Sequence, residues 1–184
     1  MPVYLITLHA YRSWNADHRR GFVQRGKGIQ PPNPALANSY SNMANHPPVT
    51  FDSKIQSLLV WATYDICVRR QWHLHAVATD TTHVHSLISW NDGEIEWNEV
   101  RRRQKNVLSW MLGRYMNRKG GHWFVEDGSR KLVPDVDHFR YLKTTYLPKH
   151  SGLQWYEGPK PPEIPAGWVE PEKAAHGLAE TRGE

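Results

Sequence analysis

Two histidines one residue apart, in Thr82-His83-Val84-His85, are the residues whose type and spacing first suggest chemistry. In an extended strand, positions i and i+2 share a face, so the imidazoles of His83 and His85 project side by side. A neutral pair placed that way is a ready pair of ligands for a divalent cation. The chain has eleven His, and the same spacing recurs at His73 and His75. Chance and ordinary hydrogen-bonded strand histidines are therefore the competing explanation. A second chemical group lies downstream: Tyr141, with Thr145 four residues after it and His138 three before. A phenol is a poor nucleophile while protonated. Against a phosphodiester it needs a cation to polarise the phosphate and offset the developing charge. Attack by its oxygen leaves a phosphotyrosine link and a free 3′-OH, so strands can be rejoined without ATP.

These groups need elements to position them. Trp72 to Trp90 alternates like a strand pair around Asp80-Thr81-Thr82, which supplies turn chemistry. Strict alternation puts His73, His75 and Val77 on one face of its first strand and Leu74, Ala76 and Ala78 on the other. Val3 to Tyr11 is β-branched and aromatic and predicts a strand before the hairpin, with Arg12 at its end. Ser53-Lys54-Ile55-Gln56 has capping-box form, with Ser53 as N-cap, and opens an amphipathic helix over 53–70. Asn91-Asp92-Gly93 marks a turn. Asn98 is the expected cap of a second helix, whose apolar stripe runs through Val100, Leu108, Met111 and Leu112 to Gly120-Gly121. His122 to Val133 predicts a small hairpin turning at Asp127-Gly128. Asp135 or Asp137 caps a short helix over 137–147, stopped by Pro148. Phe139, Leu142 and Tyr146 form its apolar stripe, which favours the core for Tyr146. The order β-α-β-β-α suits an α+β fold: a ferredoxin-like antiparallel sheet with helices packed on one face.

Composition narrows the classes. One domain is expected over residues 1–158, with a Gly/Pro/Asn/Ser-rich loop insertion at 26–50, followed by a Pro/Glu-rich tail over 159–184. No run of about 18 apolar residues predicts a membrane span, and no basic start with an apolar stretch predicts a secretory signal. A single cysteine, Cys67, excludes an internal disulfide, fits a reducing compartment and reads as a small core residue. The net charge of +5 is uneven: residues 161–184 carry −3 and the remainder +8. A basic, aromatic-rich body suits nucleic acid, with cations for phosphates and rings for bases. Arg101, Arg102, Arg103 and Lys105 form a basic start to the second long helix, as a phosphate-contacting edge or a solvated face.

The ordered set TLHAYRS (7–13), THVHSLI (82–88), GGHWFVEDG (120–128) and HFRYLKTTYLP (138–148) resembles the HUH single-tyrosine transposases, especially their bacterial REP-associated branch. It covers roughly residues 3–155. The resemblance implies a metal-dependent single-strand DNA endonuclease and strand transferase acting at hairpin DNA through a 5′-phosphotyrosine. In that family a His-hydrophobe-His strand binds the cation, Mg²⁺ or Mn²⁺, and a later helix carries the nucleophile followed by a polar ligand one turn on. Carried over, His83 and His85 are metal ligands, with His73 and His75 ranked second because the family places its pair just after the turn; Tyr141 is the nucleophile, with Tyr146 the alternative that its place in the apolar stripe argues against. Thr145, where the family has Gln or Asn, or His138 is the third ligand, with His150 a further candidate beyond the helix. Arg12, Arg101, Arg102, Arg103, Lys105 and Lys143 are the cations expected to meet DNA. The expected partner is single-stranded or hairpin DNA, with a homodimer as one assembly and a cytoplasmic, nucleoid-associated location. The competing readings are a DNA- or RNA-binding module that has lost cleavage, favoured by Thr145, and a zinc-stabilised structural protein, which lacks a cysteine set.

Overall fold

The computed structural model describes residues 1–169 except Arg25, Asp92, Glu94, Lys119, Gly121 and Asp127. The rest of the tail and those members of the expected turns and helix end lie outside the described residues. In chain order the elements are β1 (Val3–His9), β2 (Phe22–Gln24), β3 (Gly28–Gln30), α1 (Pro34–Met43), α2 (Ser53–Arg69), β4 (His73–Thr79), β5 (His83–Ser89), α3 (Trp97–Tyr115), β6 (Ser129–Val133) and α4 (Val136–Tyr141). A π-helical turn (Leu142–Tyr146), a 3₁₀ turn (Leu147–Lys149) and β7 (Gln154–Tyr156) follow. The main sheet has the order β6-β1-β5-β4-β7 and all its pairings are antiparallel. The central β4–β5 hairpin closes where the Asp80 carboxylate accepts the Thr81 N–H at 2.6 Å.

Strand alternation divides the sheet into two faces with two cores. On one, Ile6, Leu8, Leu74, Val77, Val84 and Ile88 pack against Leu58, Leu59 and Ile66 of α2 and Val100, Leu108 and Leu112 of α3. Each fully buried leucine there contributes about 1.5–3 kcal/mol by leaving water. On the other face, Leu5, Ala76, Ala78, Leu87 and Val133 meet Leu142 and Leu147. Ala76 and Ala78 carry only methyl groups, which leaves room for the C-terminal helical segment to lie close to the sheet. The antiparallel α+β sheet with its two long helices on one face is the expected architecture. The short final helix covers the face they leave open, because β1 and β5 are apolar on both sides.

Several local expectations are corrected. Asp52, not Ser53, caps α2 by accepting the Ile55 N–H at 2.9 Å. Gln56 is free of any capping box: its amide donates to the Phe51 carbonyl and its oxygen accepts the Leu153 N–H, tying α2 to the segment before β7. Helix α3 begins at Trp97 after Glu96, so Asn98 lies inside it. It ends before Gly120, with Asn117 in the left-handed region (φ 49°) and the Arg118 N–H returning to the Gly113 carbonyl. Among the described residues, 122–133 form no hairpin. Phe124 bridges Ala10, the Val125 N–H donates to the His9 carbonyl at 3.0 Å and β6 pairs with Val3 to Thr7, so both halves find their partners along β1 and the residue after it rather than in each other. Gly128 sits between them where a Cβ would fall 2.6 Å from the Thr7 carbonyl oxygen. In β4 a bulge between Leu74 and Ala76 inserts His75, which returns Leu74 and Val77 to one face and overturns the strict alternation.

The 26–50 insertion is built, not featureless. Strands β2 and β3 pair, Asn33 caps α1, and Arg12 donates to the His46 carbonyl and the Ser41 hydroxyl. The start of the tail lies on the body, with Trp168 against Trp61 and the Tyr115 hydroxyl donating to the Ala166 carbonyl. Cys67 is a buried core residue, as expected.

Candidate metal centre

His83 and His85 stand on the same face of β5 as Leu87, and β1 lies alongside with Thr7 opposite His85 and His9 opposite His83. This register places the Thr7 hydroxyl 2.7 Å from His85 Nδ1. The Thr82 hydroxyl stands 3.0 Å from His83 Nδ1. The third histidine is His150, delivered by the turns that follow α4. Its Nδ1–H donates to the Leu147 carbonyl at 3.0 Å, and its own carbonyl accepts from Gln154. Ring centroids are 4.6 Å apart for His83 and His85, 4.4 Å for His85 and His150, and 5.3 Å for His83 and His150. One donor atom from each lies within 4.8 Å of the others. With Nδ1 of each ring engaged, Nε2 is the nitrogen left to ligate, and such hydrogen bonds set the tautomer and orientation of metal-bound imidazoles.

Electrostatics agree with that role. His85 is 4% exposed. Burial, and then His83, His150 and His9, push its pKa down to about 2. Burial and the neighbouring His9 and His150 push that of His83 down to about 4. Both are therefore neutral near pH 7, the form that binds a metal. His85 Nε2 is buried without a hydrogen-bond partner among the described residues. Leaving such a group unsatisfied costs about 1–3 kcal/mol, and ligation would satisfy it. The residues present fit a divalent cation.

Tyr146 completes the group. Its ring lies 5.5 Å from that of His85 and 5.2 Å from that of His150. Burial, and then Tyr141, raise its phenol pKa. Tyr141, by contrast, is 47% exposed and makes none of these ring contacts. The helix widens between the two tyrosines: Leu147 N–H bonds the Leu142 carbonyl, an i→i+5 step. Two features favour the widening. The Thr144 hydroxyl donates to the Arg140 carbonyl at 2.8 Å, and Pro148 offers no N–H to the Thr144 carbonyl. Spacing of four thus ceases to mean one face here. Thr145 is exposed beside Thr144, and His138, whose N–H is capped by Asp135, is not among the three clustered histidines. The sequence signal for His150 is Tyr146-x-x-x-His150, the same spacing that pointed from Tyr141 to Thr145.

The expected DNA cations are dispersed. Helix α3 packs on the sheet face opposite the histidines. Its Arg102 and Arg103 bond Glu99 at 2.7 and 2.6 Å, Arg101 donates to the Gly128 carbonyl, and Lys105 donates to the Val125 and Glu126 carbonyls. Lys143 lies 3.8 Å from Glu157. Aromatic rings that sequence reasoning left unassigned gather nearer the site. A cavity of about 720 Å³ is lined by His9, Trp14, Phe22, Val23 and Tyr40, and the His9 ring is 5.7 Å from that of His83. No helix among the described residues is long and apolar enough to cross a membrane.

No protein-family profile matches the chain, and no curated protein matches it significantly. Among solved structures, a REP-associated tyrosine transposase bound to a REP hairpin is similar at 10% identity and a TM-score of 0.42, over 76% of this chain. The match spans 61% of the length of that protein. A candidate transposase from Deinococcus radiodurans R1 is similar at 13% identity and a TM-score of 0.39, over 83% of this chain and 92% of the other.

Proposed function

We propose that residues 1–158 form a metal-dependent endonuclease and strand transferase acting on single-stranded or hairpin DNA, with Tyr146 as nucleophile. The observation that carries this reading is the convergence of His83, His85 and His150 with the Tyr146 ring set against two of them. The resemblance calls for a polar ligand one turn after the nucleophile. For Tyr141 that residue is the exposed Thr145, whereas for Tyr146 it is His150. A divalent cation held by the three histidines would supply Lewis-acid polarisation of the scissile phosphate. Histidine ligation favours Mn²⁺ over Mg²⁺.

Tyr146 is half-buried and its phenol pKa is raised, so it waits protonated. Its oxygen gives up that proton as it bonds phosphorus; the P–O3′ bond breaks and the departing 3′ oxygen takes a proton. The product is a 5′-phosphotyrosine and a free 3′-OH, and the reverse attack reseals the strand. Trp14 and Tyr40, both exposed beside the cavity at His9, are suited to stack unpaired bases.

The test is a denaturing gel of end-labelled hairpin DNA incubated with Mn²⁺ and wild type, Tyr146→Phe or Tyr141→Phe. A covalent adduct is expected with wild type and Tyr141→Phe and none with Tyr146→Phe. The opposite pattern makes Tyr141, the accessible outer phenol, the nucleophile. Binding without an adduct from wild type on any hairpin makes the protein a nucleic-acid-binding module.

A further inference from the structure

The second His-x-His pair is not used by the centre described above. His73 begins β4 and His75 is the extra residue of its bulge, and the two rings lie 4.4 Å apart. Glu157, just past β7, comes to them from the neighbouring edge. Its backbone N–H donates to the His75 carbonyl at 3.1 Å, which fixes where its side chain starts. One carboxylate oxygen is then 2.7 Å from His73 Nε2 and the other 3.6 Å from His75 Nδ1. A donor atom from each of the three residues lies within 4.8 Å of the others. His75 Nε2 is 2.8 Å from the Ser89 hydroxyl, which holds the ring and leaves Nδ1 toward Glu157.

We propose that His73, His75 and Glu157 form a second cation site, separate from the His83 centre, for a late first-row divalent ion of the zinc class. Two imidazoles and one carboxylate are a donor set such ions take, with room for water in the remaining positions. Ligands about 2.1 Å from a tetrahedral ion are roughly 3.4 Å apart, so the three donors need only small rotations to close. The two centres cannot share one ion. His73 pairs with Ser89, four residues along β5 from His85, or roughly 13 Å. A cation here replaces the His73–Glu157 hydrogen bond with ligation and pins β7 to β4. Lys143, with its ammonium 3.8 Å from Glu157, is the one positive side chain beside the carboxylate among the described residues, and it competes with the ion.

The test is titration of the full chain, free of any affinity tag, with Zn²⁺ by calorimetry and with Co²⁺ by visible absorption. Wild type is expected to take two equivalents. His83→Ala with His85→Ala is expected to retain one, and Glu157→Gln or His73→Ala to weaken one of the two at least tenfold. Glu157 and His73 are both exposed, so these single variants leave the fold standing, which a thermal melt verifies. A single equivalent in wild type that the His83/His85 double variant abolishes overturns the proposal. So does a second equivalent unaffected by both Glu157→Gln and His73→Ala.

Discussion

Thr7→Val is the perturbation that reads the centre most directly without touching a ligand. Thr7 is 4% exposed and its hydroxyl stands 2.7 Å from His85 Nδ1. Valine keeps the shape and the strand preference of threonine, so β1 should pair as before. What disappears is the partner of Nδ1. In the metal-free protein both nitrogens of a buried imidazole are then unsatisfied, because Nε2 already has no partner among the described residues. The loss of stability should be about 1–3 kcal/mol. For the metal, losing a hydrogen bond that orients a ligating histidine weakens binding about 10–100-fold, or roughly 1.4–2.7 kcal/mol. The assay is calorimetric titration with Mn²⁺ in a Glu157→Gln background, so that one site is read, together with urea unfolding of the metal-free protein. Thr7→Ser, which keeps the hydroxyl, should recover most of the affinity. Unchanged affinity in Thr7→Val would refute the reasoning, since His85 would then be either held by something else or not a ligand.

Stability of the metal-free protein should fall in mild acid. The unfolded His85 takes a proton near pH 6.5, whereas the folded one resists it down to about 2. The unfolded state therefore binds more protons below pH 6.5, and stability drops as pH falls. By pH 5 the loss from His85 alone is about 2 kcal/mol; a urea midpoint that stays flat between pH 7 and 5 would contradict the buried, neutral assignment. Replacing Arg102 and Arg103 together by Gln removes surface pairs with Glu99 and should leave stability nearly unchanged in a urea melt, because solvent screens such pairs. Because α3 lies opposite the histidines, the log–log salt dependence of single-strand DNA binding should change by no more than roughly 0.7, one phosphate contact. A change of two contacts or more would place α3 on the DNA path.

The His-x-His strand and its hairpin were legible because a strand has period two and the turn residues bracket it. The helices were legible as apolar stripes at helical spacing. Each misreading has a local cause that only packing reveals. Asp52 outcompetes Ser53 as a cap because Gln56, needed for a capping box, is drawn to Phe51 and Leu153. The 122–133 stretch contains good hairpin residues, yet β1 and the residue after it offer both halves partners already anchored in the sheet.

The sequence by itself determined that two imidazoles share a strand face, that a tyrosine-bearing helical segment follows late in the chain, and that strands and helices alternate as an α+β sheet. These are consequences of local periodicity. Only the tertiary structure decided which tyrosine and which third histidine meet the pair. That choice depends on a π turn that changes the angular step between Tyr141 and Tyr146, and on the burial of Leu142 and Leu147 against Leu5 and Leu87. It depends equally on the β1 register that sets Thr7 opposite His85. Contacts between residues tens of positions apart are set by the packing of whole faces, and no spacing along one element encodes them.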